Sequence, residues 1–218
     1  VISSVWKLNA TARSAIQHFA AGAVLAAIAS SVIPEAAQIG TFAGVIGGFA
    51  AGGALMIALK WLVLRSEKKN KGAHKLPIGL AAAAVVDTIL DGVIITTGFL
   101  TGNALGFLLV VALSIELLFL TLSVGVELGK SKLHAWQKLS ITSGIALMIL
   151  VGAMIASFLL QDAPETTLAV VLSFGAAALI YLIAEELLVE TIQAEESLFS
   201  TATLFSGFLA LLALKLLG

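Results

Sequence analysis

The chain has 218 residues and no cysteine, which excludes disulfides, thiolate metal ligands and cysteine nucleophiles. Hydrophobic residues make up 60% and charged residues only 11%, against roughly 45–50% apolar and about 25% charged in soluble domains. With a mean hydropathy of +1.09, a soluble globular protein is excluded, and a net charge of −1 points to no partner.

Apolar runs of about 20 residues follow one another, each long enough to cross the hydrocarbon core of a bilayer. They are continuous and rich in Ala, Leu and Gly, without the alternation of an outer-membrane barrel strand. The expected fold class is all-α: a polytopic membrane helical bundle with seven transmembrane helices, forming a single transmembrane domain over 1–218. The spans are read at 11–33, 40–64, 76–99, 104–128, 135–160, 166–190 and 197–217. Pro34, Pro77 and Pro164 fall at or near their ends, where a helix accepts proline.

The first span has a small-residue face around 20–29, and the second carries Gly40, Gly44, Gly48 and Gly52, a glycine every fourth residue. Such a ridge lets another helix approach closely. Packing within the bundle is the expectation, with a sliding or dimer surface as the alternative.

The third span holds two charges in otherwise apolar surroundings, Asp87 and Asp91. Four residues apart, they lie on one helix face, one turn above the other. A charge at the centre of a membrane helix costs roughly 2.5–3.5 kcal/mol on insertion scales, so the pair needs a compensating partner. The fourth span supplies Glu116, at a similar distance from the short turn at Gly102-Asn103 as Asp91. The two helices are therefore antiparallel neighbours, and Asp87, Asp91 and Glu116 are expected to converge at similar depth. With no buried Lys or Arg to neutralise them, three carboxylates fit a cation site better than a structural salt bridge. Thr88, Ser114 or water would complete the coordination. The alternative is a set of protonated, hydrogen-bonded carboxyls joining helices.

Toward the end of the sixth span, Glu185, Glu186 and Glu190 form a solvated helix end or a second cation stop on an exit path. His18, His74 and His134 all fall in loops or near helix ends on the same side, where lone histidines are usually not ligands.

If the segment before the first span is cytoplasmic, that side holds Lys7, Arg13, Lys60, Arg65, Lys68, Lys69, Lys71, Lys75, Lys130, Lys132 and Lys138, leaving only Lys215 outside. The positive-inside rule then gives a cytoplasmic N-terminal segment and a cytoplasmic 65–75 loop, with the acidic turn Gln161-Asp162-Ala163-Pro164-Glu165 external. The expected location is integral in a bacterial inner or plasma membrane, with the lipid bilayer as the chain's constant partner.

Several segments together resemble the ZIP family of divalent-metal transporters. Phe19-Ala20-Ala21-Gly22-Ala23-Val24-Leu25, running on to Pro34-Glu35-Ala36, is similar to that family's second helix, FAGGxxL ending HxxPEA, with Ser31 in the histidine position. Asp87-Thr88-Ile89-Leu90-Asp91-Gly92 resembles the fourth-helix motif HNxxEG. There Asp87 stands for His, Thr88 for Asn and Asp91 for Glu. The stretch 114–124 resembles the fifth helix with its HExxE core, Glu116 on the first ligand and Leu117 and Leu120 on the acidic positions. The stretch 181–191 resembles the end of the seventh helix, with Val189 in place of its proline.

The resemblance covers almost the whole chain and implies an eight-helix fold, with 1–6 as the last turn of the family's first helix. It also implies a homodimer and a divalent metal as transported substrate, with Zn, Mn or Fe as candidates. The departures remove most of the family's second metal position, because 139–160 contains no carboxylate, and the histidine-rich cytoplasmic loop is absent. What remains is one site of oxygen ligands, which suits harder cations than imidazole does.

The expected function is a divalent metal cation transporter working by alternating access, with a carboxylate-lined midplane site. The alternative is a ZIP-like protein that does not move transition metals: one that carries protons or another substrate, senses, or does not transport. No enzyme is expected. Glu185-Glu186 is similar to the paired glutamates of CAAX-type membrane proteases, but the downstream arginine and the helix histidines that chemistry needs are missing.

Overall fold

The computed structural model describes residues 10–69, 78–129, 133–184 and 198–217, and every regular element among them is helical. Helix α1 (Ala10–Ala27) passes through a π-helical turn, Ile28–Val32, into α2 (Ile33–Ile39). There follow α3 (Phe42–Lys69), α4 (Ile78–Thr101), α5 (Asn103–Gly129), α6 (Ala135–Leu160), α7 (Glu165–Leu182) and α8 (Leu198–Leu217). With α1 and α2 taken as one span, Ser14–Ile39, seven helices among the described residues are long and apolar enough to cross a membrane. The chain is an integral multi-pass membrane protein.

Large apolar side chains project outward on several helices: Ile57 and Trp61 on α3, Leu147, Met154 and Phe158 on α6, and Phe205 and Leu209 on α8. In water such patches would drive association, whereas in a bilayer they face acyl chains. Arg65 stacks over Trp61, 5.0 Å from the ring centroid, near the end of α3. Aromatic and basic residues of this kind anchor helix ends at the interface.

The first span runs further than its proline suggested. Its expected end at 33, before Pro34, is replaced by a continuous path to Ile39. The Ile33 N–H reaches back five residues to the Ile28 carbonyl, widening the helix by one π turn. Pro34 then sits within the first two positions of α2, where a missing N–H is tolerated.

Helices α4, α5 and α6 pack on one another, α1 packs on α8, and α3 and α2 pack on α7. The three groups meet through α1 against α5 and α4 against α7. Backbones approach most closely at glycines. A Cβ on Gly92 of α4 would overlap the Ile149 carbonyl of α6, and one on Gly152 of α6 would overlap the Ile89 carbonyl of α4. Gly22 and Gly207 form the same reciprocal crossing between α1 and α8. Of the expected glycine ridge, Gly48 and Gly52 lie against the backbone of α7 at Val170 and Phe174, so at these two positions the ridge packs inside the bundle.

Candidate functional site

Helix α4 buries a stripe of Ala84, Asp87, Thr88, Asp91, Ile94 and Thr97. Helix α5 buries Leu109, Ala112, Leu113, Glu116, Leu120 and Val124. Both follow the spacing of three and four that sets one face of a helix toward a core. The carboxylates thus occupy positions that the pattern assigns to apolar residues. Asp87 is 7%, Asp91 1% and Glu116 2% exposed, and both oxygens of Asp91 and of Glu116 are shut off from the surface.

The close glycine crossing beside Asp91 fixes how α4 is turned. Gly92 lies against α6, which leaves the Asp87 and Asp91 face, about 100–140° round the helix from Gly92, to meet α5. One oxygen from each of Asp87, Asp91 and Glu116 lies within 4.8 Å of the others. Among the described residues, this is the one group of three or more His, Cys, Asp or Glu side chains close enough to hold a metal ion. Asp91 stands 13 residues into α4 and Glu116 13 residues into α5, about 20 Å along helices roughly 36–40 Å long. The trio is therefore near mid-bundle.

Each ionised pair at 4.8 Å repels by about 3–4 kcal/mol at an effective dielectric constant of about 20. A cluster of this kind holds its charge only when positive charge, as a cation or as protons, is shared among its members. Hard cations bind oxygen at about 2.0–2.6 Å, so opposite ligands of one ion stand roughly 4–5 Å apart. The trio's spread matches that figure, and its donors are all oxygen.

Thr88 is completely buried beside the aspartates, and its hydroxyl donates to the Ala84 carbonyl at 2.7 Å. Ser114 is exposed: two residues from Glu116, it lies about 200° away around α5 and is not brought to the trio. Glu185, Glu186 and Glu190 lie outside the described residues. His18 Nδ1 is 2.8 Å from the Ser14 carbonyl, and His134, exposed at the start of α6, donates its backbone N–H to the Gln137 side chain at 3.0 Å. Neither histidine belongs to the trio's group, and His74 lies outside the described residues.

A cavity of about 280 Å³ between α3, α4 and α7 is lined by Asp87 together with Lys60 and Tyr181. Lys60, an exposed basic residue, thus shares a cavity with Asp87. Its signal in the sequence is a lone basic residue inside the apolar run 40–64, which a count of charges by side does not single out. A larger cavity, about 490 Å³, opens at the other end of the bundle between α2, α5 and α8, and none of the trio lines it.

No protein-family model matches the chain, and no curated protein matches it either.

Proposed function

We propose that the chain carries a divalent cation across a membrane by alternating access, with Asp87, Asp91 and Glu116 as the midplane site. The reading is supported above all by three buried carboxylates from two adjacent helices that bring one oxygen each within 4.8 Å. Their depth in the bundle suits a transporter's central site, and the resemblance to the ZIP family points the same way. The substrate would be a hard or borderline divalent ion such as Mn²⁺, with Zn²⁺ and Fe²⁺ as the other candidates, since every donor is oxygen. In this reading Thr88 and water complete the shell, the basic end of the bundle is cytoplasmic, and the protein works as a homodimer.

The test is uptake into liposomes containing the purified chain. Asp87→Asn and Glu116→Gln keep side-chain size and remove charge. Each is expected to lower divalent uptake at least about tenfold, the effect of roughly 1.4 kcal/mol. Unchanged uptake of Mn²⁺, Zn²⁺ and Fe²⁺ by both variants would sink the assignment.

A second reading is favoured by the residues that stand where family ligands are expected. Thr88, Leu117 and Leu120 offer a weaker donor or none, which suits a ZIP-like protein that carries protons or another substrate, or senses. Calorimetry separates the two, since binding of none of Mn²⁺, Zn²⁺, Fe²⁺, Ca²⁺ and Mg²⁺ leaves only the second.

A further inference from the structure

Lys60 and Asp87 line the same cavity. Helix α3 ends at Lys69 and α4 begins at Ile78, so Lys60 lies nine residues from one helix end and Asp87 nine from the other. The helices are antiparallel and share that end of the bundle, which puts both residues about 14 Å inside it at the usual rise per residue. Anchoring at this end is already served by Arg65, with Lys68 and Lys69 beyond it in sequence, whereas Lys60 sits more than a turn deeper. The wall between Lys60 and Asp87 is mostly apolar, with Met56, Val63 and Val86 among its residues. In such surroundings a charge acts over a longer distance than in water.

From this geometry we infer that Lys60 is a tethered counter-charge that weakens cation binding at the carboxylate site and favours release through this cavity. The inference rests on the reading of the trio as a cation site. An empty, ionised trio carries three negative charges, and the same trio with a divalent ion carries one. A fixed positive charge stabilises the first state more than the second, so it shifts the balance toward the empty site. An ion leaving Asp87 through this cavity also passes the ammonium group, which competes with it for Asp87. Lys60 is thus a residue that tunes affinity without being a ligand.

The test is calorimetric titration of Mn²⁺ into the purified full chain at low ionic strength, at pH 8. Lys60→Gln and Lys60→Met are expected to bind Mn²⁺ about tenfold more tightly, a gain of about 1.4 kcal/mol, and Lys60→Arg is expected to restore the weaker affinity. The difference is expected to shrink as salt is raised. Lys60 is exposed, and a cooperative thermal transition in each variant checks that it is folded. Equal or weaker binding by both neutral variants overturns the inference. Asp87→Asn and Glu116→Gln serve as the separate control. If they abolish binding while the Lys60 variants behave as wild type, only the inference falls; if they bind Mn²⁺ unchanged, the cation-site reading itself falls.

Discussion

Pro34 has no N–H to return to the Ser30 carbonyl four residues earlier, so that acceptor loses its ordinary helical donor. The Lys215 ammonium, from the far end of α8, donates to this same carbonyl. A helix irregularity in α1 is thus linked to the last turn of the chain's last described helix. Most net values for a hydrogen bond of this kind are near 1 kcal/mol once exposure is allowed for. Lys215→Met is expected to destabilise the protein by about that amount and Lys215→Arg by less, read from thermal unfolding in detergent. Equal midpoints for wild type and the Met variant would show that water serves the carbonyl as well. The carboxylates were legible at this same scale, because charges at Asp87, Asp91 and Glu116 interrupt an otherwise apolar periodicity. Ser114 was not: a hydroxyl two residues from Glu116 looks adjacent in sequence, and only the helical angle sends it to the outer face.

At the scale of helices, reciprocal glycine contacts set the distances between axes. Where Gly92 meets α6 and Gly152 meets α4, a methyl group would collide with a backbone carbonyl, which cannot swing aside as a side chain can. Gly92→Ala and Gly152→Ala are each expected to cost about 1–3 kcal/mol by forced separation of the helices. Gly92→Ala is further expected to impair cation binding, since it shifts the face that carries Asp91. Gly47 and Gly53 have open space where a Cβ would stand, and alanine there is expected to be neutral or to stabilise α3 by about 0.5–1 kcal/mol. Thermal unfolding of the four variants measures the contrast, and similar losses at all four sites would refute it. The ridge on α3 could be read as a pattern because its glycines recur within one helix. The Gly92–Gly152 and Gly22–Gly207 crossings could not, since each is one glycine whose partner lies far along the chain. The same limit hid Lys60, which acquires meaning only when α3 and α4 are laid side by side.

Across the whole molecule, alternating helices gather the basic residues Lys60, Arg65, Lys68, Lys69 and Lys138 at the end where α3 finishes and α6 starts, while Glu35, Asp162 and Glu165 stand at the other. In the proposed orientation, which follows the positive-inside rule, the basic end is cytoplasmic, and the cavity at Asp87 lies toward it. The absence of cysteine from the sequence makes this directly measurable, because any introduced thiol is the sole target of a maleimide. Ala135 and Gln161 are exposed at opposite ends of α6. In intact cells a membrane-impermeant maleimide is expected to label Gln161→Cys and to reach Ala135→Cys only after permeabilisation; the reverse pattern would invert the topology. Ala83 lines the cavity with Asp87, so Ala83→Cys reports on the path itself. Labelling from the Ala135 side alone, slowed by Mn²⁺, is the expected result for a cavity that leads from the trio to the cytoplasm. Labelling of Ala83→Cys from the Gln161 side would mean that the cavity opens the other way, and that Lys60 guards entry rather than release.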